Sequence, residues 1–286
     1  MSDNKILVIG ATGNVGRVLT RRLAEMGEPV KAATRQPQGY GVLENVEPVL
    51  FDYDQPDTWA KALTGVDRVF SLTKNADVQP DKTVIPFFDA AKAAGIEHIV
   101  FMTAMGVDQA PDALPLRQVE KYLMASGVAY TILRPNWFMQ NLNPGFLLPP
   151  IQQSGAFYLP AAEAKTSLID TQDIAAVAAV ILTEAGHRGK EYTLTGGEAL
   201  SYHEAAQIMS EFAGRQITYV PVDDDALRGA LTGAGWLTEQ AEFMVGLFQG
   251  VRQGWAAPVS PAVSQLLGRD PITFTDFARE NAAAWR

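Results

Sequence analysis

Three glycines spaced three apart, Gly10, Gly13 and Gly16 in KILVIGATGNVGRVL (residues 5–19), stand directly behind the apolar run Ile6–Ile9. Without side chains, a strand-to-helix turn can tighten until its free N–H groups and the positive end of the helix dipole converge on one point. That arrangement suits a phosphate. The run before the glycines is short and β-branched, as in a strand buried on both faces of a parallel sheet. Behind them Val15, Val18, Leu19, Leu23 and Met26 recur with helical period. Strand, glycine turn and amphipathic helix together predict a dinucleotide-binding turn made by Gly10, Thr12, Gly13, Asn14 and Val15.

The type of dinucleotide is read one strand later. NAD-preferring sites place an acid at the end of the second strand, against the ribose 2′-OH. The stretch VKAATRQP has no acid between Lys31 and Gln38, and Arg35 stands where it could pair with a 2′-phosphate. NADP(H) is therefore the expected cofactor. Ligands lie outside the carboxyl ends of such strands. Asp52 after the third strand, Thr73 and Lys74 after the fourth, and Pro135, Asn136 and Phe138 after the sixth are further expected contacts. Trp137, Phe138 and Met105 are candidates for the wall of a substrate pocket, although aromatic and methionine clusters are more often core. Gln118 and Asn136 could orient a substrate, but no residue is identified as catalytic.

These groups need a frame, and the sequence supplies one. Strands are predicted at Val30–Thr34, Pro48–Phe51, Arg68–Leu72, His98–Met102 and up to Arg134, with helices over 57–64, 80–94 and 116–126. Such alternation predicts a doubly wound parallel sheet of the Rossmann type, an α/β fold. Residues 1–135 are the expected dinucleotide domain, with a returning strand near 190–195. Residues 136–286 are the expected substrate lobe, smaller, mainly helical and interleaved with the sheet. The Pro- and Gly-rich stretch from Asn143 to Ser167 reads as irregular. A helix over 173–184 follows, capped by Asp173, and Ser201 with Glu204 has capping-box spacing.

The 286 residues, 47% hydrophobic and 19% charged, carry a net charge of −9, which argues against a nucleic-acid partner. With no cysteine, thiolate catalysis and disulfides are excluded. The three histidines are scattered, and no metal site is expected. The chain lacks a basic n-region and a membrane-length apolar run, so a cytoplasmic protein without membrane partners is expected, and a homodimer is allowed.

The blocks GATGNVG, TR after the second strand, LRPNWFMQN, SLIDTQDIA and YTLTGGEALSYHEAAQIMSEFAGR resemble the NmrA-like branch of atypical short-chain dehydrogenases. The likeness runs along nearly the whole chain. It is strongest to flavin-free azoreductases, type 2 quinone oxidoreductases and triphenylmethane reductases. Most short-chain dehydrogenases carry Tyr-x-x-x-Lys at the helix after the fifth strand. Matching LRQVEKYL to that helix puts Asp112 and Leu116 at the two positions, and no tyrosine in the chain has a lysine four residues on. A positioned acid contributes about a hundred- to ten-thousandfold in carbonyl reduction, so its absence suits acceptors that delocalise charge. The resemblance implies NADPH-dependent hydride transfer, without flavin, to a small conjugated aromatic substrate. Two alternatives stay open. One is a non-catalytic, dinucleotide-binding redox sensor of the NmrA type. The other is a sugar-nucleotide epimerase, which the missing dyad disfavours.

Overall fold

Ile6, Leu7 and Val8 are completely buried, because their strand lies in the middle of a sheet covered on both faces. In the computed structural model, which describes residues 4–286, the chain runs β1 (Lys5–Ile9), α1 (Asn14–Glu25), β2 (Val30–Thr34), β3 (Val46–Leu50), α2 (Trp59–Leu63), β4 (Val66–Leu72), α3 (Asp81–Ala93), β5 (His98–Met102), α4 (Pro115–Ala125) and β6 (Ala129–Pro135). It continues through α5 (Leu148–Ser154), β7 (Ala156–Leu159), β8 (Lys165–Thr166), α6 (Thr171–Thr183), β9 (Lys190–Leu194), β10 (Leu200–Ser201), α7 (Tyr202–Ala213) and β11 (Thr218–Pro221). Four helices complete it: α8 (Asp224–Gly233), α9 (Thr238–Arg252), α10 (Ala262–Leu267) and α11 (Phe274–Asn281).

Two units divide these elements: Met1–Pro135 with Thr171–Thr193, and Asn136–Asp170 with Leu194–Arg286. The first holds the seven-stranded sheet in the order β3-β2-β1-β4-β5-β6-β9, a Rossmann-type α/β fold. Its strands pair in parallel from β3 to β6, with Ile6 opposite Val30 and Val8 opposite Phe70. The order reverses between β1 and β4, where doubly wound sheets bind ligands. Side chains alternate across β1. Leu7 and Ile9 join Val84, Phe87, Phe88, Val119 and Leu123 of α3 and α4 in one core cluster. Helices α1 and α6 pack together. Among the described residues no helix is long and apolar enough to cross a membrane.

Three expectations need correction. The stretch from Asn143 to Ser167 is not irregular, since it contains α5, β7 and β8. Pro149 and Pro150 lie at the start of α5, where a missing N–H costs nothing, and Gly155 ends it at φ +68°. Strand β7 pairs in parallel with the distant β11, a partner that local sequence does not reveal. Asp173 is not an N-cap, because α6 starts at Thr171 and places the acid within its first turn, where exposed N–H dipoles favour negative charge. Finally, not only the strand near 190–195 but also α6 returns to the first unit. The capping box forms as expected: Glu204 N–H donates to Ser201 Oγ (3.2 Å), and Ser201 N–H to Glu204 Oε2 (2.7 Å).

Candidate functional site

The glycine turn is held by its own backbone. Gly10 takes φ +74° and its carbonyl accepts the Gly13 N–H at 2.9 Å. A Cβ on Gly16 would stand 2.2 Å from the Gly10 carbonyl oxygen, so the first turn of α1 rests directly on the loop. A Cβ on Gly13 would come no nearer than 3.3 Å. Gly13 is the N-cap residue, gives no side-chain cap, and no acid occupies the first turn. The leading N–H groups of α1 are thus left for a ligand. Thr12 and Gly13 are exposed and Asn14 half-buried, whereas Val15 is buried, so its backbone is the part that can face a ligand.

Beside this turn lies a cavity of about 820 Å³, whose lining includes Thr12, Arg17, Arg21, Arg35 and Tyr40. Arg35, at the end of β2, is exposed there. Arg17 and Arg21 join the residues expected from the sequence, and their spacing of one turn just behind the glycines is the signal that marks them.

The remaining predicted positions of this unit lie at strand ends but are more committed. Asp52 accepts the Asp54 N–H (3.0 Å) and the Gln55 amide (3.3 Å). Its neighbours belong to the core: Phe51 and Tyr53 meet edge to face at 5.0 Å. Burial pushes the Tyr53 phenol above its ordinary range, and the hydroxyl donates to the Leu72 carbonyl at 3.0 Å. Lys74 pairs with Asp54 at 2.7 Å, Thr73 is half-buried beside it, and Met105 N–H donates to the Pro135 carbonyl at 3.0 Å.

A buried charge network missed at the sequence level joins the ends of β5 and β6. Glu120 is fully buried and accepts from Thr103 Oγ1 (2.7 Å), Arg117 (2.9 Å), and both Nε and Nη2 of Arg134 (2.9 and 2.8 Å). Arg134 also reaches Glu191. The Thr103 hydroxyl is consequently spent on a carboxylate.

Asn136, Trp137 and Phe138 belong to the second unit. Asn136 is buried, with Nδ2 within bonding distance of Ser167 O (3.2 Å), Ser167 Oγ (2.7 Å) and Ala256 O (2.8 Å), while Oδ1 accepts the Trp137 N–H (2.9 Å). Its amide therefore knits chain segments together. Trp137 stacks on Phe248 at 4.8 Å, and Phe138 bridges to Ile169. A cavity of about 580 Å³ in this unit has Met139, Leu168 and Phe274 among its walls, with Glu198 and Asp270.

An NAD(P)H azoreductase from Xenophilus azovorans is 36% identical over 98% of this chain and 99% of its own. Quinone oxidoreductase 2 of Escherichia coli is 28% identical over 95% and 96%. The crystal structure of an NADPH-dependent quinone oxidoreductase from Escherichia coli, complexed with NADPH, superposes with a TM-score of 0.81 at 26% identity, covering 96% of this chain and 99% of that one. The family model described as NmrA-like matches residues 2–251, and the chain belongs to the NmrA-like family.

Proposed function

We propose that this protein is an NADPH-dependent oxidoreductase that reduces conjugated aromatic acceptors such as quinones, azo compounds or related dyes, without flavin. The observation that carries the reading is the open N-terminus of α1 beside a cavity holding Arg35 and lacking any acid. Names of reductases among its relatives support the same class.

Bound NADPH would supply a hydride. The N–H groups behind Gly13 would bind the diphosphate and Arg35 the 2′-phosphate. Gly16 lets α1 rest against the loop at Gly10 and Ala11, so that those N–H groups would share one focus. At the end of β5, the Thr103 hydroxyl donates its hydrogen bond to Glu120 and so is not free to donate to a substrate. With no Tyr-x-x-x-Lys pair in the chain, the proton would come from solvent or a weakly acidic neighbour. That favours acceptors that spread incoming charge over a π-system above simple ketones. The 580 Å³ cavity of the second unit is of the size that takes a compact aromatic molecule.

The test is NADPH oxidation by flavin-free protein against a panel of quinones, azo dyes, triphenylmethane dyes and imines. Turnover with one or more of these classes is expected. Tight NADPH binding with no acceptor reduced would overturn the enzymatic reading in favour of a redox sensor.

A further inference from the structure

The cavity at the end of β2 holds more positive charge than Arg35 alone supplies. Arg17 and Arg21 lie on one face of α1 and both line it. No aspartate or glutamate joins them there. Several arginines elsewhere in this acidic chain pair with carboxylates, Arg68 with Glu28, Arg134 with Glu120, Arg228 with Glu242 and Arg252 with Asp224. Among the described residues, Arg17, Arg21 and Arg35 form no salt bridge. Three like charges around one cavity repel one another, and a multiply charged anion relieves that repulsion. A phosphomonoester, carrying about −1.5 to −2 at neutral pH with three acceptor oxygens, matches the number and the geometry of guanidinium forks.

We infer that Arg17 and Arg21 are specificity-determining residues for the 2′-phosphate, so that preference for NADP(H) over NAD(H) is carried by helix α1 as well as by Arg35. This rests on the dinucleotide reading above. It makes a consequence that Arg35 alone would not: removing Arg35 leaves a reduced but measurable preference.

The experiment compares 2′,5′-ADP with 5′-AMP, which differ only in the 2′-phosphate, by calorimetric titration of the full-length protein without turnover. Arg17→Ala and Arg21→Ala should each reduce the preference for 2′,5′-ADP about tenfold, the loss of one hydrogen bond to a charged group. Arg35→Ala should keep part of it, and the triple variant should bind both ligands alike. Arg17 and Arg21 are exposed, so alanine there leaves the fold intact, as urea unfolding would verify. If Arg35→Ala alone abolishes the preference and the α1 variants retain it, this inference is overturned and the dinucleotide reading stands. If the wild-type protein binds both ligands equally, the NADP(H) reading itself falls, and the inference with it.

Discussion

Gly16→Ala isolates the geometry on which the cofactor site depends. The added Cβ would sit 2.2 Å from the Gly10 carbonyl oxygen, 2.6 Å from its carbon and 3.1 Å from the Ala11 Cα, all backbone atoms. Ordinary contact would require α1 to lift from the loop by about 1 Å, an overpacking strain of about 1–3 kcal/mol. The same shift carries the leading N–H groups of α1 out of bonding range of a phosphate. Losing even one charge-assisted bond costs about tenfold in affinity. Gly13→Ala is the control, because its Cβ meets only the Gly10 oxygen at 3.3 Å and its φ of −82° suits any residue. Urea unfolding together with NADPH titration separates the two. Gly16→Ala should lose stability and affinity together, whereas Gly13→Ala should leave stability nearly unchanged and act on the cofactor alone. A Gly16→Ala protein with wild-type stability and NADPH affinity would refute the seating of α1 on the loop.

Arg134→Met should destabilise by about 3–5 kcal/mol in urea unfolding, because it strips a buried carboxylate of its bidentate partner. Adding Glu120→Gln should cost less than the sum of the two single changes, and strict additivity would show that the pair is uncoupled. Burial, then the nearby charge of Arg188, hold the His98 imidazole at about 4 rather than 6.5. Its contribution is whole above pH 6.5 and fades as pH falls toward 4, by about 3 kcal/mol in all. His98→Gln should flatten that loss in urea midpoints measured across the range, and an unchanged slope would clear His98 of the effect. Ser201→Ala removes one bond of the α7 capping box and should cost about 1 kcal/mol, read as a shift in thermal midpoint.

Much of the first unit was legible because its signals are local. Short continuous apolar runs mark β1 and β5, the period-3.6 apolar pattern marks α1, and the glycine spacing marks the turn. What stayed hidden depends on partners distant in the chain. Nothing near Ala156–Leu159 announces its pairing with Thr218–Pro221. Nor does LRPNWFMQN show that Asn136 is bonded to Ser167 and Ala256 or that Trp137 lies on Phe248. The sequence around Asp52 does not show that the Tyr53 hydroxyl is taken up by Ser71 and Leu72. The Glu120–Arg134 network escaped notice because a charged residue in a helix pattern reads as solvated face, whereas here both groups are buried.

Direct transfer from NADPH to the acceptor is tested best with an acceptor that takes the hydride on carbon, since a label on oxygen or nitrogen would exchange with water. A triphenylmethane dye cation meets that need at its central carbon. NADPH carrying deuterium at both C4 positions would be supplied with flavin-free protein, and the colourless product analysed for deuterium while the rate is compared with unlabelled NADPH. Deuterium retained on the central carbon, with a primary isotope effect on the rate, is the result expected. Reduction that starts only after flavin is added, or product that lacks the label, would contradict direct transfer.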